Sequence, residues 1–230
     1  MGEWATYSLD DFVMFSPRAW YGLLAMHNQA WWPLQLAAPG IALGLAWALH
    51  RRLRAALRLV LGICGAGLLW VAVAFHAGPH AGINLAAPAY GWAFAAQGVA
   101  LIALALLRPG LVLAHGGVLR WLALALLASA LLLYPALAPL AGRPVLQSEW
   151  FALAPDPTML ATLAAGLLVL GGSTGLRHPR RTGVLLLALP LAWCGVAGAT
   201  AWVLGAPDWW CLPAGGLMVA AALAWRIAKA

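Results

Sequence analysis

Two histidines four residues apart, His76 and His80, stand in the stretch Phe75-His76-Ala77-Gly78-Pro79-His80-Ala81-Gly82-Ile83-Asn84. On an unbroken helix that spacing puts both imidazoles on one face, where nitrogen donors suit a metal ion. Gly78-Pro79 interrupts the helix between them, which weakens the pairing. His27, with Asn28 and Gln35 close by, opens the first long apolar stretch. Three chemistries fit these residues. They are interfacial histidines hydrogen-bonded to loop backbone, a metal or tetrapyrrole site built from His27, His76 and His80 with Asn84 beside them, or a pocket for a small apolar ligand. The residues do not name the cofactor.

The remaining reactive side chains carry weaker signals. Asp156-Pro157-Thr158 reads as a helix start, with Asp156 as N-cap and proline at the first helical position. Glu149 and Asp156 together form a lesser candidate for a metal site. Cys64 and Cys194 fall inside apolar runs and read as small buried hydrophobes, and Cys211, near a helix end, is the one thiol expected to react. His50, His115 and His178 sit beside arginines and read as solvated. No nucleophile–base pair, zinc-protease helix, phosphate loop or paired carboxylate occurs at workable spacing.

The elements that must position these groups are apolar. Of 230 residues, 64% are hydrophobic and 8% charged, against about half and a quarter in soluble domains. The apolar stretches are long and continuous, which excludes a transmembrane β-barrel. Seven approach the roughly 20 residues a membrane helix needs: 31–49, 56–75, 89–107, 118–140, 158–173, 183–204 and 209–228. The fifth is the shortest and richest in Ala and Gly. No ionisable residue lies near the centre of any stretch, which argues against proton-coupled transport, voltage sensing and charge-lined pores. The single lysine, Lys229, is penultimate, so a retinal Schiff base in the last helix is excluded.

Net charge +7 does not point to nucleic acid, because the positive residues sit on alternate connections. Arg51, Arg52, Arg54 and Arg58 follow the first stretch, Arg108 and Arg120 flank the third connection, Arg177, Arg180 and Arg181 the fifth, and Arg226 and Lys229 the tail. All six acids (Glu3, Asp10, Asp11, Glu149, Asp156 and Asp208) fall on the opposite side with Arg18 and Arg143. Basic loops stay cytoplasmic, so an all-α integral membrane bundle of about seven helices is expected, N-terminus outside and C-terminus cytoplasmic.

Residues 1–30 read as an outer-face amphipathic segment, and 31–230 as the seven-helix transmembrane domain. Glu3, Asp10 and Asp11 replace the basic n-region of a signal peptide. Ser8 with Asp11 resembles a capping box, and Ser16-Pro17 an N-cap followed by proline. Sixteen of the 23 aromatic residues fall in or beside outward segments. Gly40 and Gly44 suggest a close helix contact, and Pro135, Pro190 and Pro213 suggest kinks.

The segments His27-Asn28-Gln29-Ala30-Trp31-Trp32-Pro33-Leu34-Gln35, Phe75-His76, Ile83-Asn84-Leu85-Ala86-Ala87, Tyr134-Pro135 and Pro155-Asp156-Pro157-Thr158 together resemble an uncharacterised domain-of-unknown-function family of polytopic bacterial inner-membrane proteins. The resemblance implies the fold and favoured positions, with no activity. Members often carry cysteine where this chain has Asp156, which alters any metal chemistry the family site performs.

The function expected first is a non-enzymatic accessory or structural subunit of a larger inner-membrane complex. It would sit in the lipid bilayer and dock other membrane subunits through Trp20, Tyr21, Trp31, Trp32, Trp150, Phe151, Trp209 and Trp210. The alternative is a membrane protein binding a metal, pigment or small apolar ligand through His27, His76, His80 and Asn84. A membrane-embedded enzyme comes third.

Overall fold

A computed structural model describes residues 8, 11, 13–51, 53–113, 117–171 and 173–228. Glu3, Asp10, Arg52, His115 and Lys229, all used in the sequence reading, lie outside the described residues, as do the aromatic residues Trp4, Tyr7 and Phe12.

The described residues are helical apart from short connections and one antiparallel pair of two-residue strands. The helices are α1 (Pro17–Ala30), α2 (Ala37–His50), α3 (Ala56–Trp70), α4 (Ala87–Leu107), α5 (Val118–Ala128), α6 (Leu137–Leu140), α7 (Pro155–Leu170), α8 (Pro179–Val203) and α9 (Cys211–Ala228). Four helical runs are long and apolar enough to cross a membrane: Ala56–Gly82, Ala87–Leu107, Val118–Leu140 and Pro179–Val203. Pro17–Ala30 and Leu34–His50 form a pair bent by 87°, which counts as a fifth if taken as one broken span, and Pro155–Leu170 and Cys211–Arg226 are shorter apolar helices. Every one of the seven apolar stretches is therefore mainly helix, and four to five meet the length of a membrane crossing.

The shortness of α7 has a packing reason. All its residues except Asp156 are buried, and α3, α5, α8 and α9 surround it. A helix apolar on every side belongs in a core, and its Ala and Gly let the neighbours come close. At Gly183 a β-carbon would lie 2.8 Å from both Cα and Cβ of Leu170, so α8 meets α7 backbone to backbone. A second close crossing joins α3 and α4, where a β-carbon on Gly65 would lie 2.8 Å from the Gly98 carbonyl oxygen.

Several expected local features are present. Ser16 Oγ accepts from the Ala19 N–H at 3.2 Å and Pro17 opens α1. Asp11 reaches back to the Ser8 N–H at 2.6 Å, and that bond lowers its carboxyl below the usual range; the Ser8 hydroxyl donates to the same carboxylate at 3.0 Å.

Others differ. A β-carbon placed on Gly40 or Gly44 would meet nothing within 4 Å, so their face of α2 makes no close helix contact among the described residues. Pro213 lies in the first turn of α9, where no hydrogen bond is lost and no kink is needed. Pro190 sits inside an α8 that continues through it. Pro135 does mark a break: α5 loosens into a π-helical turn at Ser129–Leu133 and then tightens into a 3-10 turn at Tyr134–Ala136.

The connections sort into two ends. At one, Val112 and Leu113 pair with Thr174 and Ser173, and Arg58 Nε donates to the Ala105 carbonyl at 2.6 Å, so the arginine-bearing first, third and fifth connections lie together. At the other end lie α1, the 76–86 and 141–154 connections, and the α8–α9 turn.

Candidate functional site

The histidine pair survives the break between its members. A π-helical turn at Val71–His76 and a 3-10 turn at Pro79–Gly82 carry His76 Nδ1 to 2.9 Å from His80 Nδ1. Their tautomers follow from the neighbours. The Ala86 N–H donates to Asn84 Oδ1 at 2.9 Å, which fixes the amide so that Asn84 Nδ2 faces His80 Nε2 at 3.2 Å. An amide nitrogen only donates, so in the neutral ring His80 Nε2 accepts and Nδ1 carries the proton. That proton goes to His76 Nδ1, leaving His76 protonated at Nε2. The His76 ring is fully buried against Phe94 and Trp193, with centroids at 4.6 and 5.7 Å, and its Nε2 has no hydrogen-bond partner.

His27 does not join them. Its ring meets Phe75 edge-on at 5.3 Å, and Phe75, itself fully buried, also packs on His80 at 5.4 Å and His76 at 5.5 Å. An aromatic ring therefore separates the first histidine from the other two. Among the described residues no three His, Cys, Asp or Glu side chains are grouped to hold a metal ion.

What the structure assembles instead is a part-enclosed chamber of about 60 Å³ at the end of the bundle holding α1 and the α8–α9 turn. Glu149, Asp156, Asp208 and Arg143 open onto it, walled by Trp20, Tyr21, Tyr90, Tyr134, Trp193 and Trp209, with His80 and Asn84 at its edge. Glu149, Asp156 and Asp208 are not closely spaced in the sequence; they converge because the 141–154 connection, the start of α7 and the α8–α9 turn meet at this end.

Local chemistry explains how each acid is held. Asp156 is not the N-cap of α7; Ala154 is, with Pro155 at the first helical position. Pro155 and Pro157 carry no N–H, so two of the four orphan donors of the helix start are absent. Thr158 Oγ1 meanwhile accepts from the Ala152 N–H at 2.9 Å and donates to the Ala154 carbonyl at 2.7 Å. Relieved of capping, the Asp156 carboxylate accepts from Trp193 Nε1 at 2.9 Å and from the Tyr134 hydroxyl at 3.3 Å.

Arg143 Nη2 donates to Asp208 Oδ2 at 2.7 Å, both side chains being largely buried. Its guanidinium also lies 4.4 Å above the Tyr21 ring. Glu149 Oε2 is sealed from solvent without a hydrogen-bond partner. Burial, then the charges of Asp156 and Asp208, hold the Glu149 carboxyl well above the usual carboxylate range, with Arg143 opposing them.

Asn28 and Gln35 position this site from behind. Asn28 Nδ2 donates to the Leu146 and Ser148 carbonyls at 2.8 and 2.7 Å, and Gln35 Nε2 donates to the Asn28 carbonyl at 2.6 Å. The bend between α1 and α2 thus braces the connection that carries Arg143 and Glu149.

The aromatic residues expected to receive a partner divide. Trp32 is 65% and Trp210 56% exposed, and Trp209 is 37% exposed at the chamber. Trp20, Tyr21, Trp31 and Trp150 are half-buried, the first two as chamber walls. Phe151 is 5% exposed and packs over Gly67 of α3, which makes it a core residue and removes it from the docking surface. Cys64 and Cys194 are buried and Cys211 half-buried, in the order the sequence suggests.

The fold and site define an all-helical protein with several apolar helices of membrane-crossing length and an acidic, aromatic-walled chamber at one end. Residues 18–230 match a family of unknown function, DUF6064, and the chain belongs to it. No curated protein and no solved structure matches the chain.

Proposed function

We propose that this is a multi-pass membrane protein that binds a small ligand in the chamber. The carrying observation is the convergence of Glu149, Asp156, Asp208 and Arg143 on one aromatic-walled cavity. Charged groups withdrawn from water cost free energy unless paired, so a chain of unconstrained function would not gather four of them here. The four long apolar helices support membrane embedding. The arginine-bearing connections at the opposite end support an orientation with the chamber on the outer face of a bacterial inner membrane and the C-terminus in the cytoplasm. In this reading the bent α1–α2 pair and the shorter α7 and α9 complete seven spans.

Within this reading the histidines are structural. His76 Nδ1 and both nitrogens of His80 are engaged with one another and with Asn84, and the remaining nitrogen, His76 Nε2, carries a proton in this tautomer, so a metal would have to displace a hydrogen bond or that proton.

Thermal unfolding of the detergent-solubilised protein against small ammonium, alcohol and carboxylate compounds tests the proposal. A ligand at 100 times its Kd stabilises by about 2.7 kcal/mol. Ala197→Phe fills the chamber wall and should abolish the shift. If no compound stabilises the wild type, or if the filled variant responds equally, the chamber is not a binding site.

The accessory-subunit reading keeps one observation, an apolar groove of about 700 Å³ between α8 and α9 lined by Leu191, Gly195, Gly198, Trp202 and Pro213. Native mass spectrometry of gently extracted protein tests it: a second polypeptide at stoichiometric ratio supports it, and a single chain refutes it.

A further inference from the structure

The chamber is short of positive charge: it holds three carboxyl groups and one guanidinium. That guanidinium is already committed, bonded to Asp208 at 2.7 Å and stacked on Tyr21. Asp156 has two neutral donors, Trp193 and Tyr134, and neither compensates its charge. Glu149 has a buried oxygen with no donor at all.

The walls favour a particular kind of cation. Trp20, Tyr21, Tyr90, Tyr134, Trp193 and Trp209 bound the space, and aromatic faces attract ammonium groups, although Arg143 already covers the Tyr21 face and Phe15 stacks on Trp20. A hard metal ion wants six or more oxygen ligands, which rings do not supply, and no metal-holding trio exists among the described residues. An anion would meet three carboxyls and an arginine that is already paired. The unpartnered Glu149 Oε2 calls for a donor, so the cation should carry N–H groups. A cavity of about 60 Å³ limits it to a few heavy atoms.

We infer that the chamber binds a small N–H-bearing ammonium cation, seated between Glu149 and Asp156 under the aromatic rings. This rests on the chamber being a binding site. On binding, the ammonium displaces the proton that burial keeps on the Glu149 carboxyl; that proton leaves to solvent, and the resulting carboxylate accepts from the ammonium at Oε2. The other lies at Asp156, which Trp193 and Tyr134 hold in place. The Arg143–Asp208 pair closes the side of the chamber.

The test is isothermal titration calorimetry on the full chain in detergent, with methylammonium, methanol and acetate as probes of similar size. Methylammonium should bind saturably to the wild type, and methanol and acetate should not. Glu149→Gln and Asp156→Asn, each of nearly unchanged shape, should each weaken methylammonium at least tenfold. Saturable binding of methanol or acetate, lost in Ala197→Phe, with none of methylammonium, overturns the cation and leaves the chamber reading standing. Methylammonium affinity unchanged in both carboxyl variants also overturns it, because the cation would then sit elsewhere. No saturable binding by any probe overturns both readings. If neither carboxyl variant folds, Ala197→Phe, at a separate wall position, locates the site: loss of methylammonium binding there supports the proposal and unchanged binding overturns it.

Discussion

Replacing Trp193 with phenylalanine keeps an aromatic ring at the chamber and removes one N–H. That N–H donates to Asp156 Oδ1 at 2.9 Å from a side chain only 6% exposed. A hydrogen bond to a charged group contributes about 1.5–3 kcal/mol, and an orphaned buried partner costs a similar amount. The remaining donor, Tyr134, stands at 3.3 Å, near the limit of a useful bond, so it cannot replace the lost one. Trp193→Phe should therefore destabilise by about 2 kcal/mol or more, part of it from the smaller ring. Asp156→Leu should also destabilise, because it strands the indole N–H. The double variant leaves neither partner unpaired and should recover about 1.5–3 kcal/mol relative to the sum of the singles. Unfolding curves of the four proteins in one detergent give this coupling directly. A coupling below about 0.5 kcal/mol, the range of independent sites, would mean that the indole does not hold the carboxylate, and the derived geometry of the site would fall with it.

Further expectations follow from the same contacts. Gly183→Ala places a β-carbon 2.8 Å from Leu170 Cα and Cβ and should lower stability by about 1–3 kcal/mol, whereas Gly195→Ala, with nothing within 4 Å, should be neutral or stabilising by up to about 1 kcal/mol; equal melting temperatures for the two would contradict the α7–α8 crossing. The raised Glu149 carboxyl means the folded chain keeps this proton after the unfolded chain has lost its own near pH 4.3. That stabilisation is full below the unfolded value and is lost as pH rises through the folded one. Glu149→Gln should consequently gain on the wild type as pH rises above about 4.3, and parallel melting-temperature profiles would refute the assignment. Arg143→Met should cost about 3–5 kcal/mol by stranding Asp208 in a largely buried position, and Arg143→Met with Asp208→Leu should restore much of it. Of the three cysteines, Cys211 should label with a maleimide under native conditions, and Cys64 and Cys194 should label only on unfolding; rapid labelling of Cys64 would show that α3 is not packed as described.

The amino-acid pattern alone places the seven helical stretches, because an apolar run of that length has one way to satisfy its backbone away from water. It also places Ser16-Pro17 as a helix start, a property of two adjacent residues. Even the gathering of acids on one side of the chain is legible, since alternate connections of an antiparallel bundle share an end. The chamber is not. Glu149 lies in the 141–154 connection, Asp156 in the first turn of α7 and Asp208 in the α8–α9 turn, and no spacing rule joins residue 149 to residue 208. Asp156 reads as an N-cap until α7 is found to begin two residues sooner, at Pro155, which leaves the carboxylate to Trp193 and Tyr134. Phe151 reads as a docking aromatic until α3 is found to leave room for its ring at Gly67. His27 looks equivalent to His76 and His80 until Phe75 is found between them. Local rules act over a turn of helix and are written in the sequence. Which side chains face one cavity depends on how α1, α7 and α8 pack, and that is decided only when the small residues of α7 and the glycines at the helix crossings bring the backbones together.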